Sequence, residues 1–360
     1  MKVLFIVRAN LYAVKGGDTI QVTNTAKFLK KSGAQVDIHF STAKIDYSSY
    51  DLIHFFNIIR PADILHHIQL SQKPYVVSTI FVDYSEYDKK HRGGLAGLLF
   101  KIASPDTVEY LKAIARFIVN GEKIASREYL WRGHKLSVKK TLKNAALLLP
   151  NSNNEYNRLV KHYGIQQAYT CIPNGIDPGI FKPETTLKKD DTLVLHVGRI
   201  EGIKNQLNLI KALRNTKYRL LIIGSPAPNQ VNYYRQCKKL ATENITFIES
   251  MPQEMLLNYY STAKVHVLPS WFETTGLSSL EAAAMGCNIV ISDKGDVREY
   301  FSDFAWYCDP GSPASIFDAV EKAANSALNS SLQTKVFSEY IWEQTAKKTY
   351  AAYRQVLNLQ

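Results

Sequence analysis

Three stretches of this 360-residue sequence place charged side chains and glycines at spacings suited to anion chemistry. In HVGRIEGIKN, residues 196–205, Arg199 and Lys204 lie five apart in a glycine-containing loop. Two such cations can both reach a diphosphate, Arg as a planar fork and Lys as a point charge, and they can equally be exposed loop charges. In WFETTGLSSLE, residues 271–281, a loop bearing Glu273 leads into a helical pattern. The first turn of such a helix offers unpaired N–H groups and the positive end of its dipole. Glu273 can bind hydroxyls beside the phosphates, and Glu281, about one turn into the helix, can accept hydrogen bonds from a diol such as ribose; a Glu near a helix start also simply suits the dipole. In Gly16-Gly17-Asp18-Thr19, two glycines allow close backbone approach to a ligand before the next helix, or a tight turn capped by Asp18 or Thr19. Neither a GxGxxG fingerprint nor a phosphate loop of the GxxxxGK[ST] type is present.

The elements that must hold these loops alternate along the chain. Short apolar runs at 2–7, 36–40, 52–56, 75–80 and 145–149 read as strands, with a helix at 19–31 closed by Gly33. From residue 190 the pattern repeats, with strands at 193–197, 220–223, 245–248, 265–268 and 289–291. The helices between them lie at 206–213, 233–242, 255–263 and 276–285. Strands alternating with helices imply parallel sheets covered on both faces, here about six units on each side of a divide. Residues 171–189, with three prolines and two glycines and no periodicity, read as a linker. The expected layout is therefore a first domain at 1–170, the linker at 171–189, a second domain at 190–335 and one long helix at 336–360 returning to the first domain. Ligands of open parallel sheets bind at the carboxyl ends of the strands, where the three stretches lie.

The composition, 46% hydrophobic and 21% charged, fits a globular chain of two domains rather than a disordered or collagen-like one. No apolar run approaches the roughly 18 residues that span a bilayer, and Arg8 interrupts the opening run MKVLFIVRA, which reads as a strand rather than a leader. With four cysteines lacking metal or CxxC spacing, the expected location is the cytoplasm, with reduced thiols. The net charge of +12 is concentrated: residues 89–143 hold thirteen Lys/Arg against four Asp/Glu. Apolar residues such as Phe117, Ile118, Leu130 and Trp131 lie among those cations, which suits an anionic membrane surface as well as ordinary core packing. No nucleic-acid-binding motif accompanies the charge, so nucleic acid is not expected as a partner.

Taken together, ETTGLSSLE with two Glu eight apart, VGRIEGIKN upstream, IPNGID at 172–177 and the early Gly16-Gly17 resemble glycosyltransferase family 4, in the family's order along essentially the whole chain. DKGDVRE at 293–299 and DPG at 309–311 resemble its late loops. The resemblance implies a GT-B fold, two doubly wound Rossmann-like α/β domains facing a cleft, and a retaining transfer from a nucleotide-diphosphate sugar. It implies a glycan or lipid-linked acceptor, as in bacterial surface polysaccharide or lipopolysaccharide synthesis, with no metal and no other cofactor.

By the same resemblance Arg199 and Lys204 bind the diphosphate and stabilise the leaving group, while Glu273 contacts the donor sugar. Gly198, Asn174, Thr274, Thr275, Gly276 and Leu277 line the donor, Glu281 holds the ribose, and Gly16 and Gly17 form the facing loop. Many members carry a His in a T-I-H-D pattern where this chain has Thr79-Ile80-Phe81-Val82-Asp83, so Asp83, Tyr84 and Glu86 are the acceptor-side candidates. Thr275 stands where an aromatic residue is frequent. The alternative is a catalytically silent protein of the same fold that binds a nucleotide sugar or polyanion.

Overall fold

The computed structural model describes residues 1–91, 104–120, 124–182 and 188–359. The apolar segment at 93–103, its cations Arg92 and Lys101, and Lys123 lie outside the described residues. The chain divides into two compact units, Met1–Pro173 with Trp342–Gln360, and Asn174–Ile341.

The first unit is built on β1 (Lys2–Val7), β2 (Gln35–Phe40), β3 (Leu52–Phe56), β4 (Tyr75–Ser78) and β5 (Leu147–Leu148). All pairings are parallel, in the order β2-β1-β3-β4-β5. Its helices are α1 (Gly17–Lys31), α2 (Pro61–Ser71), α3 (Ser85–His91), α4 (Pro105–Asn120), α5 (Arg127–Lys143) and α6 (Asn153–Tyr163). Every residue of β3 is buried, as a central strand covered on both faces requires. Ile53, Phe55, Leu4 and Ile6 form one core with Val138, Leu142 and Leu159 from α5 and α6. The α5 helix is kinked at Gly133, where φ is +70°. The α6 helix starts on Ser152, whose Oγ accepts from Glu155 N at 2.9 Å, and ends at Gly164 in the left-handed region.

The second unit holds β6 (Asp190–Val197), β7 (Arg219–Ile223), β8 (Ile245–Ile248), β9 (Ala263–Leu268), β10 (Asn288–Ser292) and β11 (Trp306–Cys308). They form a parallel sheet in the order β11-β10-β9-β6-β7-β8. Around it lie α7 (Gln206–Leu213), α8 (Val231–Leu240), α9 (Gln253–Thr262), α10 (Leu277–Ala284), α11 (Val297–Phe301), α12 (Pro313–Asn325) and α13 (Ser330–Glu339). The winding runs outward from β6 to β8 and resumes at β9 on the other side of β6. The loops after β6 and β9 therefore flank the switch point, where an open sheet parts to admit a ligand.

Several expectations are corrected. The first sheet has five strands among the described residues rather than about six units, and β11, α2 and α12 were not anticipated. The strand expected at 75–80 stops at Ser78, because Ile80 takes φ +46°. Residues 174–182 are no linker: Ile176 and Phe181 are buried in the core of the second unit. The long terminal helix is two helices, since the Tyr340 carbonyl is taken by Ile176 N at 2.8 Å and the helical ladder breaks there. α13 belongs to the second unit, and the last helix, α14 (Trp342–Val356), belongs to the first, where it packs on α1. Its Tyr353 hydroxyl lies 2.6 Å from Nδ1 of His54, a buried imidazole whose pKa burial lowers to about 3.

The four cysteines are free thiols. Among the described residues no helix is long and apolar enough to cross a membrane, and no group of three or more His, Cys, Asp or Glu could hold a metal ion.

Candidate functional site

In the second unit the loops after β6 and β9 are fastened together before any side chain meets a ligand. Asn205, buried with φ +62°, gives its amide to the Pro269 carbonyl at 3.0 Å and the Pro310 carbonyl at 2.7 Å. Trp271 N donates to the Ile203 carbonyl at 2.8 Å. Three loops at the carboxyl ends of β6, β9 and β11 are thereby tied at one point. On this frame Lys204 Nζ reaches Glu273 Oε1 at 2.5 Å, and Ser270 Oγ donates to the same oxygen at 2.6 Å.

Gly295 fixes the other side of Glu273. A Cβ at Gly295, where φ is +85°, would lie 2.0 Å from the Glu273 carbonyl oxygen, so only glycine admits this approach. Gly224 plays the matching part after β7, where a Cβ would lie 1.9 Å from the Gly198 carbonyl. Arg199 is the exposed cation of the group. Its guanidinium pairs with Glu201 at 2.8 Å rather than with Glu273, while its carbonyl accepts from Gln206 Nε2 at 2.9 Å.

Gly276, with φ +71°, caps the start of α10. The first N–H groups of a helix have no partner within it, so those around 275–278 make a ready anion site. Thr275 beside them is buried, its hydroxyl 3.2 Å from the Asn174 amide and 3.3 Å from the Tyr300 hydroxyl. Thr274 and Leu277 are half-buried in the same turn.

Glu281 does not present a free carboxylate. Gln253 Nε2 donates to one oxygen at 2.5 Å and the Tyr260 hydroxyl to the other at 2.9 Å. Burial raises its pKa to about 7, against the opposing effect of the hydrogen bonds from Tyr260 and Gln253. A diol binding there must share the carboxyl with Gln253 or displace its amide.

The first unit carries two further features. Its Gly16-Gly17 turn opens α1, and the loop before it wraps around Arg8. Arg8 gives two hydrogen bonds to the Asp18 carboxylate, at 2.6 and 3.0 Å, and others to the Asn10 and Val14 carbonyls. Asp18 therefore offsets the positive end of α1 while holding the turn in shape.

The second feature is a cavity of about 830 Å³ near the carboxyl ends of β3 and β4. Asp83 and Tyr84 line it, whereas Glu86 does not. The turn after β4, which lines it with Ile80 and Phe81, is held by Glu155, fully buried in the first turn of α6. One carboxylate oxygen accepts from both the Thr79 hydroxyl and Phe81 N (the latter at 2.9 Å), and the other from Asn151 N at 2.9 Å. Two of these donors flank Ile80, whose φ of +46° is costly for a β-branched residue. Phe81 turns toward Tyr163 and His162, each 5.7 Å between ring centroids, and its carbonyl accepts from Arg158 at 2.7 Å.

Sequence reasoning passed over Ser270, Gly295, Arg8, Glu155 and the cavity's Asp106 and His162. For Glu155 a signal existed. Ser152-Asn153-Asn154-Glu155 has capping-box spacing, in which the Glu side chain reaches back toward the start of the helix.

Comparison with known proteins bears on both units. Residues 179–339 match the family described as glycosyl transferases group 1. A D-inositol 3-phosphate glycosyltransferase from Kribbella flavida is 28% identical over 248 residues, which cover 61% of this chain and 58% of that protein. The corresponding enzyme from Acidothermus cellulolyticus is 25% identical, over 58% of this chain and 53% of the relative. The matches thus span little more than half the length of these curated relatives. Among solved structures, sucrose-phosphate synthase from Thermosynechococcus elongatus superposes with a TM-score of 0.77 at 18% identity, covering 100% of both chains. Anabaena HepE in complex with UDP-glucose gives 0.72 at 14% identity, over 99% of this chain and 100% of that one. Residues 179–339 therefore form a glycosyl transferases group 1 domain that fills most of the second unit, and the two Rossmann-like units share the GT-B fold of sucrose-phosphate synthase.

Proposed function

We propose that this chain is a retaining glycosyltransferase that moves a sugar from a nucleotide-diphosphate sugar to a glycan or lipid-linked acceptor in bacterial surface polysaccharide synthesis. The observation that carries the reading is the Lys204–Glu273–Ser270 cluster, fixed at the switch point of the second sheet beside Arg199 and the start of α10. Breaking a sugar–phosphate bond leaves negative charge on the diphosphate. Arg199, Lys204 and the α10 N–H groups supply positive charge held in place before the reaction starts, so the reading assigns no metal ion.

Glu273, held by Lys204 and Ser270, meets the donor sugar, and Glu281 meets the ribose through the oxygen now bonded to Gln253. Gly198, Asn174, Thr274 and Thr275 shape the bed of the diphosphate. The names of similar proteins support the reading: the curated relatives are glycosyltransferases, HepE was solved with UDP-glucose, and WaaB, a lipopolysaccharide outer core galactosyltransferase, shares the fold with a TM-score of 0.63.

The test is a thermal-shift series with UDP, GDP, ADP, CDP and dTDP, with Arg199→Ala as control. Ligand at a hundred times its dissociation constant adds about 2.7 kcal/mol of stability. One nucleotide is expected to raise the transition temperature, and the variant to lose the response; no response to any of the five overturns the donor site. The apolar Phe81 favours a second reading, a silent nucleotide-sugar binder. Release of free sugar from the donor without acceptor separates the two, since a pure binder releases none.

The first unit is assigned a second partner, an anionic membrane leaflet. Phe117, Ile118 and Val119 near the end of α4 and Leu130 and Trp131 at the start of α5 are exposed, Val119 and Trp131 by 80% and 82%. Arg116, Arg127 and Arg132 stand among them. Apolar side chains interspersed with cations match an acidic lipid surface in both polarity and charge. A lipid-linked acceptor would be found there.

A further inference from the structure

We propose that Gln206 is a positioning residue of the donor site: with His196 it forms a buried relay of hydrogen bonds that fixes the peptide from which the Arg199 side chain projects. The proposal rests on the reading of Arg199 as a diphosphate-binding cation and goes beyond it in naming what holds that cation's backbone.

His196, near the end of β6, and Gln206, the first residue of α7, are both fully buried. Nδ1 of His196 lies 2.9 Å from the Val267 carbonyl of β9, which can only accept. In the neutral imidazole the proton therefore sits on Nδ1, and Nε2 carries the lone pair. Burial lowers the His196 pKa to about 4, so the ring is neutral at ordinary pH. Gln206 Nε2 donates to that lone pair at 3.0 Å and to the Arg199 carbonyl at 2.9 Å. Three N–H groups thus meet three acceptors in one line from β9 to the loop after β6. The amide loses something by this arrangement, since Gln206 Oε1 is buried with no hydrogen-bond partner among the described residues. Reversing the amide would turn Oε1 toward the Arg199 carbonyl and the imidazole lone pair, two acceptors, and satisfy neither. What the side chain contributes at that cost is its pair of N–H groups.

The peptide held is the one between Arg199 and Ile200. Its carbonyl is taken by Gln206, and its N–H, on Ile200, donates to the Ser225 carbonyl at 2.9 Å. Both edges of the peptide plane are thereby tied, one to α7 and the other to the loop after β7. The Arg199 side chain itself is 41% exposed and pairs with Glu201 at 2.8 Å. An exposed guanidinium is aimed chiefly by the backbone that carries it. With its carbonyl released, the peptide can rotate and the cation is no longer held in one place for an incoming diphosphate. Such a charge acts through being oriented in advance, so the relay bears directly on what Arg199 can do.

The experiment is a double-mutant cycle on the full-length chain with inorganic pyrophosphate as the probe, which carries the diphosphate without a choice of base. Calorimetry gives its affinity for the parent, Gln206→Met, Arg199→Ala and the double variant. Methionine keeps the length and unbranched stem of glutamine and removes both N–H groups. Gln206→Met is expected to bind pyrophosphate about three- to tenfold more weakly than the parent, the range for one hydrogen bond. In the Arg199→Ala background the same change should cost less than about twofold, because the cation it positions is gone. Equal factors in both backgrounds, or parent affinity in Gln206→Met, overturn the role of Gln206 while the donor reading stands. Failure of the parent to bind pyrophosphate, or equal binding by Arg199→Ala, sinks the donor reading itself. Imidazole nitrogen NMR of the parent, with His196 assigned through the signals lost in His196→Asn, checks the relay without any change at Gln206. The His196 proton is expected on Nδ1; a proton on Nε2 overturns the proposal.

Discussion

The two units hold charge at the ends of their sheets in opposite ways. In the second unit each cation already has a carboxylate of its own, Lys204 with Glu273 and Arg199 with Glu201, on loops pinned by Asn205. On the proposed reading, an arriving diphosphate would exchange one anionic partner for another and meet groups already oriented. In the first unit the cavity has unspent hydrogen-bonding capacity on His162 and Lys161, and one buried carboxylate, Glu155, holds the turn at Phe81 that lines it. The first arrangement suits charge that develops during a reaction. Pairing within the protein thus separates the site proposed for chemistry from the cavity of the first unit.

Arg199→Ala tests the reactive side most severely. It removes a preorganised cation and leaves Glu201 without its partner, so turnover of the nucleotide sugar should fall about 10²- to 10³-fold, as for loss of one oxyanion donor. A steady-state rate within a factor of three of the parent would erase the contrast between the units.

Glu281 comes next. The folded chain holds its proton up to about pH 7, whereas in the unfolded chain it ionises near the ordinary 4.5. Its contribution to stability is therefore fully present below about pH 4.5 and is lost as pH rises through about 7, a span of roughly 3 kcal/mol at 1.36 kcal/mol per pKa unit. Glu281→Gln should flatten the fall of transition temperature with pH over that window; parallel curves for parent and variant would show that the carboxyl is ionised throughout.

The smallest effect concerns the exposed face of α4 and α5. Sedimentation with vesicles containing 30% anionic lipid should show binding that weakens about tenfold in Trp131→Ser with Ile118→Ser, and none with purely zwitterionic vesicles. Equal binding to both vesicle types would remove the charge argument.

The same contrast explains what was legible in the sequence. The groups of the second site come from short stretches directly after β6 and β9, so a strand-then-loop pattern and a few consecutive letters find them. The partner of each group was not legible: that Glu281 is spent on Tyr260 and Gln253 depends on how α9 packs beside α10. The first cavity was harder still. Its residues run from Asn57 to Tyr163, and Glu155 ties α6 to the turn after β4 by bonding to residues 76 and 74 positions earlier. The capping-box spacing pointed to a Glu that reaches backward, yet no local rule says that it also holds the turn after β4. The break at Tyr340 was missed for a related reason, because helical periodicity continues through it and only the hydrogen bond from Ile176 N ends the helix.

That break bears on how the chain is made. The second unit is one continuous stretch, while the first needs residues 342–360, which are synthesised after it. Until α14 emerges, the face of α1 that it covers stays exposed to water and His54 lacks the Tyr353 hydroxyl. During synthesis, then, the later unit is the earlier to be complete. A chain cut after residue 341 would hold the whole second unit joined to a first unit still short of its last helix, the kind of unsatisfied apolar surface that chaperones attend.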